Sequence, residues 1–126
     1  MEVTQEQMLR MLELILPKEI LKHFTVTDLK VLPKEVHLFL DEVNEVPVEY
    51  KSEKLLSKGF YPEAVIQDFP IRNKALYLHV RRRKWEVEST GKIVCKRWDL
   101  MAEGTRYSKE FAVFLKGLLG YLPDKF

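Results

Sequence analysis

Apolar residues near the start of the chain recur at the three- and four-residue spacing of a single helix face. The residues of this face are Met8, Met11, Leu12 and Ile15. Thr4 and Gln7 fit a capping box, so the pattern predicts an amphipathic helix over 4–15. Pro17 suits the first position of a second, short helix over about 17–23, because that position needs no backbone N–H.

After these helices the pattern changes to the two-residue alternation of β-strands. Residues 25–32 are rich in β-branched and apolar side chains, and Pro33 follows as a turn residue. Beyond the turn, Val36, Leu38 and Leu40 share one face of the next strand. The two segments together predict a β-hairpin.

The stretch over 41–62 is polar and is interrupted by Pro47, Gly59 and Pro62. It is predicted to be a long loop, with one helical turn near 53–56.

Three more strands are predicted between residues 63 and 100, separated by turns at 72–74 and 89–91. They are EAVIQDF, ALYLHVRRRKWEV and KIVCKRWDL. Tight turns favour pairing between neighbours, so an antiparallel meander is expected. Its middle strand places Leu76, Leu78 and Val80 in the core.

A last helix is predicted over 105–120, with Thr105 or Ser108 as its cap and Gly120 at its end. Its apolar stripe consists of Tyr107, Phe111, Phe114, Leu115 and Leu118. The expected class is therefore α+β, in a single domain over 1–126. Its parts are a helical segment (1–24), an antiparallel β region of about five strands (25–100) and the terminal helix (105–120) packed on the sheet.

Charge is distributed unevenly along the 126 residues, although the net charge is only +2. Residues 1–70 hold 8 Lys and Arg against 13 Asp and Glu, which gives −5. Residues 71–126 hold 13 against 6, which gives +7. This asymmetry suggests that the second half binds a polyanion.

The densest positive charge is the run Arg81–Lys84, and the returning strand adds further cations close to the same hairpin end. Phosphates suit such a cluster, because arginine donates paired hydrogen bonds to them and binding releases condensed counterions. The cations assigned to DNA are Arg81, Arg82, Arg83, Lys84, Lys92, Lys96 and Arg97, with Tyr77, Trp85 and Trp98 as aromatic support. The open alternative is a solvated hairpin whose cations pair with Glu86, Glu88 and Asp99.

Arg106 and Lys109 lie at the start of the last predicted helix, where backbone N–H groups also favour phosphate. They are assigned as supplementary phosphate contacts. An ordinary surface helix that packs on the sheet is the alternative.

Catalytic chemistry is not expected. His23, His37 and His79 are scattered without metal-ligand spacing, and no phosphate loop or nucleophile motif is present. Cys95, the single cysteine, is interpreted as a packing residue of a strand. No catalytic residue, metal or cofactor is therefore predicted. The lone cysteine and the lack of a long apolar run favour a reducing cytoplasm over a membrane.

Four stretches together resemble the N-terminal region of ISAon-type insertion-sequence transposases, which occur mainly in Bacteroidetes. They are LELILPKEIL, LLSKGFYPEAVIQDFPIRNKALYLHVRRRKW, GKIVCKRWDL and MAEGTRYSKEFAVFLK. The resemblance covers roughly residues 9–119. It implies a non-catalytic region whose DDE catalytic domain is encoded downstream, and which recognises the terminal inverted repeats of the element.

A more distant resemblance is to transposases with an N-terminal zinc ribbon. The residues in matching order are Asp68, Arg82, Arg83, Trp85, Arg106 and Tyr107. The four zinc cysteines have no counterparts, which implies a ribbon that has lost its metal.

A protein-interaction module is the alternative function, docking on the separate catalytic subunit or on a second copy of the chain. Exposure of Met8, Met11 or Leu12 in the folded protein would favour it, because exposed apolar patches often mark interfaces.

Overall fold

The computed structural model describes residues 2–98 and 109–119. It confirms the α+β class, with helices before and after a region of seven strands in two sheets. The helices are α1 (Gln5–Glu13), α2 (Lys18–His23) and α3 (Lys109–Leu119), with a 3-10 turn over Val48–Tyr50. The strands are β1 (Phe24–Val31), β2 (Glu35–Glu42), β3 (Leu55–Phe60), β4 (Ala64–Ile71), β5 (Lys74–Arg81), β6 (Arg83–Val87) and β7 (Ile93–Val94).

The N-terminal helices agree with the sequence pattern. The Thr4 hydroxyl accepts a hydrogen bond from the Gln7 backbone N–H at 3.1 Å, and the Gln7 side chain accepts one from the Thr4 N–H at 2.9 Å. This capping box fixes the start of α1. The predicted end of the last helix and its caps, Thr105, Ser108 and Gly120, lie outside the described residues.

Two hairpins build the larger sheet, whose strand order is β1-β2-β5-β4. The β4–β5 turn falls where it was predicted, and Arg72 and Asn73 both adopt positive φ there (49° and 67°), as a tight two-residue hairpin turn requires. The hairpins meet through their second strands, β2 and β5. Each of these is antiparallel to its own hairpin partner. The two strands pair with each other in parallel. This pairing departs from the all-antiparallel expectation.

The central strands carry the core because both alternate strictly. Leu38 and Leu40 on β2 and Leu78 and Val80 on β5 are almost fully buried, as predicted. Helix α3 packs on β4 so closely that a Cβ at Gly117 would lie 2.9 Å from Cγ2 of Ile66. Other buried members of this core are Leu16, Ile20, Phe24, Leu76, Trp98, Phe111, Phe114 and Leu115.

The smaller sheet has the order β3-β6-β7, and two expectations about it were wrong. The segment over 41–62 is not one long loop, since β3 lies within it and pairs with β6. The long predicted strand through the basic run breaks at Arg82, so that β5 and β6 belong to different sheets. The third strand of the expected meander shortens to the two residues of β7. No helix among the described residues has the length and apolar character needed to cross a bilayer.

Candidate nucleic-acid interface

The break at Arg82 separates the predicted basic cluster. Arg81 ends β5 and forms a two-point ion pair with Asp41, with Nε and Nη2 at 2.7 and 2.6 Å from the carboxylate oxygens. Its guanidinium also lies over the Phe60 ring, 4.1 Å from the centroid. The hydrogen bonds to Asp41 raise the pKa of Arg81 above its usual value. Arg81 therefore already has a carboxylate counterpart.

Arg83 turns toward the end of β2. Its Nε donates to the backbone oxygen of Glu42 at 2.8 Å, and its guanidinium also lies over the Phe60 ring, 4.7 Å from the centroid. These contacts join the two sheets. Arg83 thus has a structural role that its assignment to DNA did not anticipate.

Glu42 is a buried carboxylate at the junction of the two sheets and is only 2% exposed. One oxygen accepts from the Arg83 backbone N–H at 2.8 Å and the other from the Trp98 indole N–H at 2.9 Å. Burial raises the pKa of Glu42 above its ordinary value, while these two hydrogen bonds oppose the rise.

Two of the three aromatic residues assigned to DNA are buried instead. Trp98 is fully buried in the main core, stacked on Phe24 and edge-on to His23. Trp85 belongs to a small cluster with Val87 and Val94 under the second sheet. Both assignments are corrected: the break at Arg82 turns Trp85 of β6 inward, and Trp98 packs in the main core and donates to Glu42.

Lys96 is corrected as well. Its side chain is only 7% exposed, and Nζ pairs with Glu45 at 3.2 Å and lies over the Trp98 ring. Tyr77 stacks on His37 on the outer face of the larger sheet, the face of β5 that also carries His79 and Arg81. Lys109 is exposed at the start of α3, which packs on the larger sheet, and Arg106 lies outside the described residues.

The other four assigned cations gather around one open groove at the smaller sheet. We call it the Tyr61 groove; it has a volume of about 310 Å³ and lies between the 3-10 turn and β7. Its lining residues are Glu49, Tyr50, Tyr61, Lys92, Ile93, Val94, Cys95 and Arg97. Arg82 and Lys84 stand over the Tyr61 ring, at 5.8 and 5.7 Å from its centroid.

Three cations around the Tyr61 groove have no carboxylate partner in the described part of the chain. Within residues 2–98 and 109–119, neither Arg82, Lys84 nor Lys92 has a carboxylate within 4.0 Å. Arg82 donates only to the Cys95 sulfur at 3.3 Å and to the Lys96 backbone oxygen at 3.4 Å, and its Nε is buried without a partner. An anion placed here would therefore meet three cations, Arg82, Lys84 and Lys92, that have no carboxylate within 4.0 Å among the described residues.

Sequence reasoning missed both tyrosines of this groove. Tyr50 and Tyr61 lie in the stretch that was predicted to be a loop, and no periodic pattern joins them to the basic run. The adjacent aromatics Phe60 and Tyr61 were the available signal, since an aromatic pair in a polar stretch needs a packing partner.

A second constellation, also missed, lies on the outer face of the larger sheet. His37 Nδ1 and His79 Nε2 are 2.7 Å apart. The other nitrogen of each ring contacts a carboxylate, Glu35 at 2.8 Å for His37 and Glu63 at 2.7 Å for His79. Phe39 stacks on His79, 4.4 Å between centroids. The part of the chain in view contains no group of three or more His, Cys, Asp or Glu residues arranged to hold a metal ion.

Comparison of the chain with protein-family models, with curated proteins and with solved structures finds no match. Its function must therefore be argued from its own residues and from the geometry of the Tyr61 groove.

Proposed function

We propose that this protein is a non-catalytic DNA-binding module of an insertion-sequence transposase, which recognises the ends of the element through the Tyr61 groove. The observation that carries the proposal is the gathering of Arg82, Lys84, Lys92 and Arg97 around partly exposed tyrosine rings. The resemblance of the sequence to ISAon-type transposases supplies the biological setting, with a separately encoded DDE subunit as the catalytic partner.

The Tyr61 groove is better suited to phosphate binding than the complete set of cations predicted from the sequence. Arg81 and Lys96 already pair with carboxylates, and any phosphate would have to displace those partners. At Arg82, Lys84 and Lys92 a phosphate would not have to displace a carboxylate from the described part of the chain. The positive charge that remains available thus lies on one side of the smaller sheet.

Salt dependence of DNA binding tests this assignment. Three neutralised phosphates, at Arg82, Lys84 and Lys92, predict that log affinity falls with log salt at a slope of about −2 to −3. Replacing Lys84 and Lys92 with alanine should reduce the steepness of this slope by about 2, because each lost phosphate contact removes about one released counterion. Fluorescence anisotropy of a labelled duplex from the element's ends, over a salt series, gives both slopes.

The matched control is Lys54→Ala with Lys58→Ala. It removes the same charge, but these lysines pair with Glu88 and Glu86 and lie outside the groove. We expect the control to keep the wild-type slope. Equal losses in both double variants, or binding that salt does not change, would refute the role of the groove.

A protein-docking function has one specific observation in its favour. Helix α1 has no buried residue, and Met8 and Met11 are 55% and 59% exposed. An apolar groove of about 350 Å³ runs between α1 and the main body, lined by Met8, Leu9, Leu12, Leu21, Phe24 and Val26 with Gln5 and Thr25. Exposed apolar surface of this kind commonly marks an interface.

The double variant Met8→Glu, Met11→Glu tests the docking function. It should leave the fold intact, because both side chains are exposed, and should abolish association. Light scattering detects self-association, and co-purification detects the catalytic subunit. Leu29→Glu with Val31→Glu, on the exposed β1, is the control and should associate normally. A wild-type chain that stays monomeric and retains no catalytic subunit would exclude this function.

A further inference from the structure

The Tyr61 groove is small for a duplex. Its volume of about 310 Å³ is near the lower limit of roughly 300 Å³ for small-molecule sites. A double helix could lay only its phosphates along the rim, because its bases are stacked and paired inside. The walls of the groove would then remain without a partner.

Those walls are aromatic and held in place. Tyr50 packs on the Trp85 cluster. The backbone of Tyr61 is held by its N–H, which donates to the Arg82 oxygen at 2.8 Å. Both tyrosines are partly exposed. A partly exposed aromatic ring offers a surface on which an unpaired base can stack, since every base has a π-face.

Charge in the groove is asymmetric, which gives a bound nucleotide one orientation. Lys92 and Arg97 lie on the β7 side, and Glu49 lies on the side of the 3-10 turn. A phosphate is attracted to the first side and repelled from the second. A carboxylate can accept a hydrogen bond from an exocyclic amine of a base.

From these observations we infer that the Tyr61 groove holds one unpaired nucleotide of a DNA end, with its base on a tyrosine ring and its phosphate at Lys92. The inference rests on the DNA-binding function proposed above and names the form of DNA that the groove takes. A flush duplex would use only the phosphate side of the site.

Anisotropy titrations at one fixed salt concentration test the inference with two labelled probes, a blunt duplex and the same duplex with a short unpaired overhang. The wild-type protein should bind the overhang probe about tenfold more tightly, the contribution of one stacked base. Tyr61→Leu should remove this advantage, so that its affinities for the two probes lie within about twofold of each other. Tyr61→Phe, which keeps the ring, should retain it.

A second measurement does not depend on the stability of the leucine variant. The fluorescent base 2-aminopurine, placed in the overhang, loses emission when it stacks. Wild-type protein should quench it, and the Phe variant should quench it equally. Unchanged emission, or equal affinity for the two probes, overturns the inference while DNA binding itself stands. Failure to bind either probe overturns both the inference and the proposed function.

Discussion

Replacing Trp98 with alanine is expected to lower the free energy of unfolding by about 3–5 kcal/mol, the usual cost of removing a buried large aromatic side chain. Trp98 is fully buried and contacts Phe24, Phe111 and His23. Its loss would leave a cavity in the main core. It would also leave a Glu42 oxygen without its donor. Denaturant unfolding followed by circular dichroism measures the effect.

Trp98→Phe is the control for this prediction. It retains an aromatic ring against Phe24 but removes the indole N–H, so we expect it to lose clearly less stability than the alanine variant. Neither change should alter DNA affinity under conditions where the protein is folded. Full stability of Trp98→Ala together with loss of DNA binding would instead place this side chain at the interface, as the sequence pattern predicted.

Glu42→Leu is expected to cost about 2–6 kcal/mol, since two donors shielded from solvent lose their acceptor at about 1–3 kcal/mol each. The donors are the Arg83 backbone N–H and the Trp98 indole N–H. Both donors lie at the junction between the two sheets. We therefore expect the substitution to lower the free energy of unfolding of the two sheets together. Glu42→Gln keeps one acceptor oxygen at a similar shape and should cost less. Equal stability of all three proteins would mean that Glu42 is not buried at the junction.

The same residue predicts a dependence on pH. An unfolded carboxyl releases its proton near 4.5, whereas burial raises the pKa of Glu42 in the folded protein. Between these values the folded state binds more protons than the unfolded state. The free energy of unfolding contributed by Glu42 therefore falls as pH rises from about 4.5 through the raised pKa.

The stability of the wild type minus that of Glu42→Gln isolates this contribution, because other titrating groups are common to both proteins. One of them is His23, whose pKa is lowered first by burial and then by Lys96 and Lys22. Its contribution is lost as pH falls below 6.5, the opposite direction. We expect the difference between the two proteins to decrease with rising pH. A difference that stays flat, or that increases, contradicts the assignment.

Local patterns in the sequence were enough to predict much of this fold. The capping box at Thr4, the hairpin turn at Arg72 and Asn73, and the buried alternation of β2 and β5 all depend on residues close in sequence. Helix α3 could be predicted for the same reason, from an apolar stripe at helical spacing. Burial of Leu38 and Val80 follows from that alternation alone.

The errors arose where distant residues decide the structure. Strand β3 has mostly exposed side chains and contains Gly59, so it lacks the alternation that marks a half-buried strand. The parallel pairing of β2 with β5 joins residues about 40 positions apart, such as Leu38 with Leu78, and no local signal specifies it. The bend at Arg82 depends on Glu42, whose backbone and side chain both bind Arg83.

The candidate site was predicted only in part for the same reason. Four of the assigned cations do meet at the Tyr61 groove, but they do so around tyrosines from a segment that seemed featureless in the sequence. Counting positive charges could not distinguish Lys92 from Lys96. Lys92 has no carboxylate within 4.0 Å among the described residues, whereas Lys96 pairs with Glu45. That distinction requires the folded arrangement of the acidic first half around the basic second half.

The contact between His37 and His79 fixes how many hydrogens the two rings carry. An ionised carboxylate only accepts, so His37 donates to Glu35 and His79 donates to Glu63. One further hydrogen must lie between the facing nitrogens at 2.7 Å. Two imidazoles thus share three hydrogens and one positive charge. A fourth hydrogen would set two N–H groups against each other, and with only two the lone pairs of the facing nitrogens would meet, so the 2.7 Å contact requires three.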